Sequence, residues 1–268
     1  MNNMLKVENV EVYGFEAAIR GARNPMNSWD RMDSKFYITK LRNNCKIGPN
    51  DYKMLKNLTL AGPEHRKWNR MVTVTMDITA PMYWFSEYDT YKIATTANST
   101  SKMHKMLAKP FEMSDFSFDR LIGYKNEVKQ FIPPVDELNE EWKGIQYGYK
   151  ISNQGRVKKP QGRILGYADK VNIYEEVARP IVDTLNELRD MWFNCDDEVI
   201  KKQIWYNILQ LLPNSYNQKR TVHLNYETLG AMYRQRRHHK LDEWHVFCDT
   251  LEKLPYSEFI TMKFEEVE

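Results

Sequence analysis

Cysteine is scarce and scattered, at Cys45, Cys195 and Cys248 only. An odd number without Cys-x-x-Cys spacing excludes a disulfide framework and a cysteine zinc site, so each reads as a free thiol in a reducing compartment. Long apolar runs are missing too: no stretch approaches the about 18 residues of a membrane span. The opening segment MNNMLKVENV lacks a signal-peptide pattern, and the expectation is a cytoplasmic protein. Charge of one sign is also missing. A net charge of +3 is no polycation announcing nucleic-acid binding. There is no Gly-x-Ser-x-Gly, Walker or Gly-x-Gly-x-x-Gly pattern and no fixed-period repeat. His238 and His239 are adjacent rather than four apart, which suits no helical metal site; His104 and His223 stand alone and read as structural or solvated. What is present is a core: 42% hydrophobic residues and 13% aromatics over 268 positions suffice for one large domain or two small ones.

The segment 8–20 mixes a strand-like start with a short helix, and 21–34 is turn-rich around Asn24-Pro25. Asn50 or Asp51 is the expected N-cap of a helix through Leu58. Met71–Ile78 has the β-branched content of a strand, and Pro81 permits a helix to start behind it. Ser117–Phe131 reads as helical until Pro133-Pro134. Apolar residues at Val177, Ile181, Leu185, Leu188, Met191 and Trp192, then at Ile200, Ile204, Ile208 and Leu211, predict two long amphipathic helices. A strand at Thr221–Leu224, a helix from about 226 to 237 and another from about 241 to 254 complete the chain.

Two stretches carry polar chemistry. From Ala94 to Ser101, Thr95, Thr96, Ser99, Thr100 and Ser101 surround Asn98. Small hydroxyls let a ligand approach the backbone and offer donors and acceptors without bulk; a polar helix start or a loop is the plainer reading. Near the C-terminus, Arg234, Arg236, Arg237 and Lys240 gather with His238 and His239 at the end of a helix. Cations there complement the helix dipole. They also make an anion site, because arginine is a rigid donor fork suited to phosphate or a pyrimidine edge.

These stretches, taken with their spacing, resemble the flavin-dependent thymidylate synthases. In that family Leu-Pro is followed twelve residues later by Asn, then by Leu and Arg before Ala-Gln-Trp-Glu. Here Pro213 and Asn225 keep that spacing, Leu229 and Arg236 continue it, and Trp244 follows after a one-residue slip that would make Arg237 the counterpart. Upstream the family carries Glu-His, a strand ending in Pro, then Arg-His-Arg-x-x-Ser-x-Asn-Glu-x-Ser-x-Arg. This chain has Glu64-His65, Thr75–Pro81 and the hydroxyl run, with Thr96, Asn98 and Ser101 at the Ser, Asn and Ser positions. The departures remove charge. Tyr91 and Lys92 stand where the family has its Arg-His-Arg, Ser99 replaces Glu, and Met103 with Lys102 beside it replaces the last Arg. Leu209 or Gln210 replaces the arginine before Leu-Pro, and Glu227 replaces the one after Asn. A lost charge-assisted hydrogen bond costs about 1.5–3 kcal/mol, so the resemblance speaks more strongly for fold than for reaction.

It implies an α+β thymidylate synthase-like fold and a pyrimidine deoxynucleotide such as dUMP as partner. The nucleotide would be faced by Asn98, Ser99, Ser101 and Lys102, with Arg236 or Arg237 on its base or phosphate. His65, Tyr91, Lys92 and Asn225 would border FAD. Methylenetetrahydrofolate would supply a one-carbon unit, reduced flavin the hydride, and the assembly would be a homotetramer. The other class of function is a non-catalytic nucleotide- or DNA-binding protein on the same scaffold.

Between these parts the texture changes. Short β-type runs at 149–151, 156–158 and 163–165 are separated by Asn153-Gln154-Gly155 and Pro160-Gln161-Gly162, which predicts a small β-meander. Glu141-Trp142-Lys143, the run 149–157 and Gly162–Leu165 resemble the NUMOD-type module of homing endonucleases. The resemblance implies DNA contact through Lys150, Arg156, Lys158, Lys159 and Arg163; a solvated basic hairpin used in oligomer contacts is the alternative. No His-Asn-His motif accompanies it, so cleavage is not implied. The expected organisation is a synthase-like part over 1–135, the inserted module over 136–170 and a helical synthase-like part over 171–268.

Overall fold

Alternation makes the central strand. Along Thr73–Pro81, Val74, Met76, Ile78 and Ala80 are fully buried, while Thr73, Thr75, Asp77 and Thr79 face the opposite side and stay half-buried. A strand's period of two sends one set to the core and the other to solvent. The computed structural model describes residues 5–38, 43–101, 105–118, 121, 145–146, 149–151, 157–158 and 174–264. Contacts divide the chain into two units, Met1–Ser117 with Ile208–Glu268, and Phe118–Asn207.

In the first unit the chain runs β1 (Lys6–Tyr13), α1 (Phe15–Arg23), the hairpin β2 (Lys35–Ile38) and β3 (Asn43–Lys46), and α2 (Pro49–Leu60). Then come β4 (Thr73–Pro81), α3 (Met82–Tyr88) and β5 (Thr96–Ser99). It ends with β9 (Asn217–Asn225), α6 (Tyr226–Arg236), α7 (Asp242–Leu251) and α8 (Glu258–Thr261). An antiparallel sheet of order β1-β4-β9-β5 shares one core with the helices. Trp84 and Phe85 of α3, Tyr226, Leu229 and Met232 of α6, Trp244 and Phe247 of α7, and Phe259 of α8 are all buried there. Each fully buried large apolar side chain stabilises the fold by roughly 1.5–3 kcal/mol. Gly14 turns the chain from β1 into α1 at φ 95°, and a Cβ there would lie 2.1 Å from the Met71 carbonyl oxygen. The position needs glycine on both counts.

Neither Asn50 nor Asp51 caps α2, contrary to expectation. The helix starts two or three residues earlier, with Gly48 at the cap and Pro49 in the first turn. The Asp33 carboxylate accepts from the backbone N–H of Asn50 (2.9 Å) and Asp51 (3.0 Å), satisfying the free helix end from outside. That leaves Asp51 to turn inward. It is fully buried, pairs with Arg23 at 2.5 Å and accepts from the Ser34 hydroxyl at 2.5 Å, while Arg23 also donates to the Ser28 and Arg31 carbonyls. The turn-rich 24–34 segment is thereby tied to α1 and α2.

The hydroxyl run is loop only at its two ends. Its middle, Thr96–Ser99, is the edge strand β5 paired with β9. All four residues are exposed, so no apolar alternation announces the strand. The hairpin β2–β3 and the short α8 were not anticipated either. The strand, the helix after Pro81, and the helices of the last third lie where the patterns place them.

In the second unit β6 (Ile145–Gln146), β7 (Tyr149–Ile151) and β8 (Val157–Lys158) form an antiparallel meander. The 149–151 run and Val157–Lys158 of the next run fall in it, β6 joins as a further strand, and 163–165 lies outside the described residues. A π-helical turn, Tyr174–Ala178, leads into α4 (Arg179–Phe193), followed by α5 (Glu198–Leu211), of which Ile208–Leu211 counts with the first unit. These are the two long helices expected from periodicity. Their burial is partial: Ala178, Val182, Leu185 and Ile204 are buried, but Val177, Met191, Phe193, Val199 and Ile200 are exposed. The expected helix at 117–131 lies outside the described residues except for 117, 118 and 121.

Candidate functional site

The end of α3 carries two carboxylates two positions apart, Glu87 and Asp89, and each meets an arginine from a distant part of the chain. Arg236, in the last turn of α6, donates from Nη1 to Glu87 at 2.6 Å and from Nε to the Tyr91 hydroxyl at 2.9 Å. Its guanidinium lies 5.0 Å from the centre of the Trp244 ring, a cation–π distance. The Tyr91 hydroxyl donates onward to Gln235 at 2.8 Å. Arg220, on β9, donates from Nη1 to Asp89 at 2.7 Å and from Nε to Gln218 at 3.0 Å, and lies 3.9 Å over the Phe85 ring. Gln218 in turn donates to the Thr100 carbonyl at 2.8 Å. With Thr228 donating to the Ile93 carbonyl at 3.2 Å, the segment 87–101 is strapped along β9 and α6.

His239 also meets Glu87, 3.2 Å from its Nε2. Its Nδ1 accepts from the Leu241 N–H at 3.2 Å. An accepting Nδ1 leaves the proton on Nε2, so this geometry describes a neutral imidazole donating to Glu87. Behind the rim lies an aromatic nest of Trp84, Tyr88, Trp244 and Phe247, with Trp84 and Trp244 4.7 Å apart. The Tyr88 hydroxyl is buried without a hydrogen-bond partner among the described residues, and burial raises its pKa well above the usual phenol range, so it stays neutral. Glu243, buried in the first turn of α7, accepts from the Tyr83 hydroxyl.

The strand divides the expected nucleotide residues. Asn98 is paired with Thr221 and Ser99 with Arg220. Cross-strand partners share a face and neighbours alternate. Asn98 therefore lies on the open polar face beside Thr221 and Asp77, whereas Ser99 lies on the helix side with Arg220. Ser101 follows the strand, and Lys102 lies outside the described residues. Arg236 and Tyr91 come together at the rim. Arg237 does not join them: it pairs with Asp249 at 2.5 Å and Glu252 at 3.6 Å, and the Asp249 hydrogen bond raises its pKa further. Asn225 caps α6, its side-chain oxygen accepting from the Thr228 N–H at 3.0 Å. His65 is exposed beside Glu64, and Lys92 is exposed. In the meander Lys150 is paired with Lys158; Arg156, Lys159 and Arg163 lie outside the described residues.

Sequence reasoning missed Glu87, Asp89 and Arg220. Arg220 left a signal, since it occupies the core-facing register of Val222 and Leu224, where a charge needs a partner. The cysteines are free, and burial pushes the Cys45 and Cys248 thiols up to about 11. Among the described residues no group of three or more His, Cys, Asp or Glu side chains could hold a metal ion. No helix among them is long and apolar enough to cross a membrane.

No protein-family model matches the chain, and no curated protein does. Solved structures do. The chain is similar to thymidylate synthase X (ThyX) from Helicobacter pylori with FAD and dUMP, at TM-score 0.53 and 13% identity over 95% of each chain. It is similar, at TM-score 0.53 and 14% identity, to the flavin-dependent thymidylate synthase ThyX from Helicobacter pylori complexed with FAD and dUMP, over 95% of this chain and 96% of that one. The α+β fold reached here from alternation and packing is therefore the fold of the flavin-dependent thymidylate synthases.

Proposed function

We propose that this chain binds a pyrimidine deoxynucleotide such as dUMP along the rim formed by the end of α3, β5, β9 and α6. One observation carries the reading: Arg236, over the Trp244 ring, holds the Tyr91 hydroxyl, and Arg220, over the Phe85 ring, has Ser99 paired opposite it. Guanidinium forks suit a phosphate or a pyrimidine edge, and a hydroxyl lets the ligand approach closely. The solved ThyX proteins of this fold hold FAD and dUMP.

The described residues at the expected flavin positions offer FAD little charge. At the positions expected to border it, the Asn225 side chain is spent on the α6 cap and the Tyr91 hydroxyl is bonded to Gln235 and Arg236. Glu227 brings a carboxylate, 3.5 Å from Arg66. Lys92 is the one cation among those expected residues, too little for a diphosphate. We therefore propose nucleotide binding and assign no step through flavin or methylenetetrahydrofolate. Calorimetry tests this: dUMP is expected to bind, Arg236→Gln to weaken it by about tenfold or more, and the purified protein to be colourless and take up no flavin. No heat with millimolar dUMP sinks the binding reading. A yellow protein that consumes dUMP sinks the exclusion of flavin.

A second reading concerns the meander, where Lys150 opposite Lys158 on adjacent strands favours a DNA contact. We propose it for the 141–166 stretch with its Arg156, Lys159 and Arg163. A salt-dependent shift of duplex DNA that vanishes when these basic side chains are removed is the expected result; a shift that survives their removal rejects it.

A further inference from the structure

The 3-10 turn Arg66–Arg70 meets the end of α8 through polar groups that are poorly matched. Arg66 is only 8% exposed, yet its guanidinium is short of acceptors. Nη1 donates to the Met262 sulfur at 3.9 Å. Nε lies 3.5 Å from Glu227, beyond ordinary hydrogen-bond length, and is buried without a hydrogen-bond partner among the described residues. Trp68 Nε1 and Asn69 Oδ1 of the same turn are buried without partners there as well, and the Asn69 amide nitrogen reaches the Phe259 carbonyl only at 3.5 Å. A thioether is a weak acceptor, so a buried cation of this joint is spent on a poor partner. Met262 closes α8 in the left-handed region at φ 62°, its own N–H bonded to the Glu258 carbonyl at 2.9 Å, and the residue is half-buried rather than sealed. An oxygen added to the sulfur on the Arg66 side would fall between the two groups. The present separation leaves room for it to meet Nη1 at about 2.7–2.9 Å, the length of a charge-assisted hydrogen bond.

We propose that Met262 is a redox modification site whose sulfoxide is bound by Arg66, fastening α8 to the Arg66–Arg70 turn. The oxidant is a peroxide. The sulfur lone pair attacks one oxygen of hydrogen peroxide, the O–O bond breaks, and the departing hydroxide takes the proton from the transferred oxygen and leaves as water. The thioether loses two electrons and the peroxide gains them. Sulfoxide formation ordinarily disrupts packing, because it makes an apolar side chain polar. Here the sign reverses, since the new oxygen meets a buried guanidinium with donors to spare. The inference stands apart from the nucleotide reading.

The experiment treats the full chain with limiting hydrogen peroxide, maps oxidised methionines by peptide mass, and follows amide exchange across 257–264. Met26, 79% exposed, reports the dose. The proteins are wild type, Met262→Leu, Met262→Gln and Arg66→Met. Met262→Leu controls for oxidation elsewhere, and the glutamine amide supplies an oxygen near the place of the sulfoxide oxygen. Oxidised wild type is expected to exchange these amides about tenfold more slowly than untreated protein. Met262→Gln should do so without peroxide, and Met262→Leu should not respond to it. With Arg66→Met, oxidation should give no slowing. Met262 left unoxidised when Met26 is fully converted overturns the proposal, as does exchange that is unchanged or faster after oxidation. Slowing that persists in Arg66→Met overturns it too. Should Arg66→Met fail to fold, glutamine against leucine at 262 with Arg66 intact carries the comparison, and equal protection in the two rejects the sulfoxide contact.

Discussion

Asp77 is the most strongly perturbed carboxylate of the open sheet face. Donors converge on it from Thr221 (2.6 Å), Asn9 (2.9 Å) and Lys219 (3.1 Å), and these hydrogen bonds lower its pKa to about 2. Asn9 reaches it because β1 bulges there, with Asn9 in the left-handed region at φ 50°. A carboxyl held below its usual value contributes stability above the ordinary carboxylate range and loses it as pH falls through the folded value. Asp77→Asn is accordingly expected to lower the melting midpoint at pH 7 by about 2–4 °C. The gap should close below pH 2, where the wild-type carboxyl is protonated too. Thermal scans at pH 7 and near pH 1 check this, and a gap unchanged between them removes Asp77 from the account.

At the scale of elements, a cap and a cofactor contact make opposite forecasts for Asn225. As the cap of α6 it satisfies the Thr228 N–H, so Asn225→Ala should destabilise the protein by about 1 kcal/mol, and Asn225→Asp should restore most of it. Urea titration separates the readings, since a ligand contact would leave unfolding of the free protein unmoved. Motif spacing could locate Asn225 but could not say that its amide faces its own helix. Elements with a strong apolar period were legible: β4, α4, α5, α6 and α7 all fall where the pattern put them. Those organised by polar contacts were not. β5 has no apolar residue but Ala97 to betray its pairing, and the start of α2 is fixed by Asp33, a residue outside the helix.

For the whole molecule, the fold was legible from the Pro213–Asn225 spacing and the Glu64–Pro81 order, whereas the electrostatic state of the site was not. The pairs that decide it, Glu87 with Arg236 and Asp89 with Arg220, are separated by 149 and 131 residues, and only folding brings them together. Assembly is the remaining property at this scale, and α4 and α5 argue for it. Val177, Met191, Phe193, Val199 and Ile200 are 48–68% exposed in the second unit. Large apolar side chains exposed on two successive helices and the turn before them favour association, and closed symmetry is the rule for identical chains. We propose the homotetramer that the sequence resemblance implies. Sedimentation velocity at micromolar concentration should then show a species near four times the 32.0 kDa chain. Met191→Lys combined with Ile200→Lys should shift it to smaller species while circular dichroism stays the same. Burying those two exposed positions (56% and 50%) against water is what the lysines oppose. A monomer at every concentration tested would mean that these helices serve something other than a second copy of the chain.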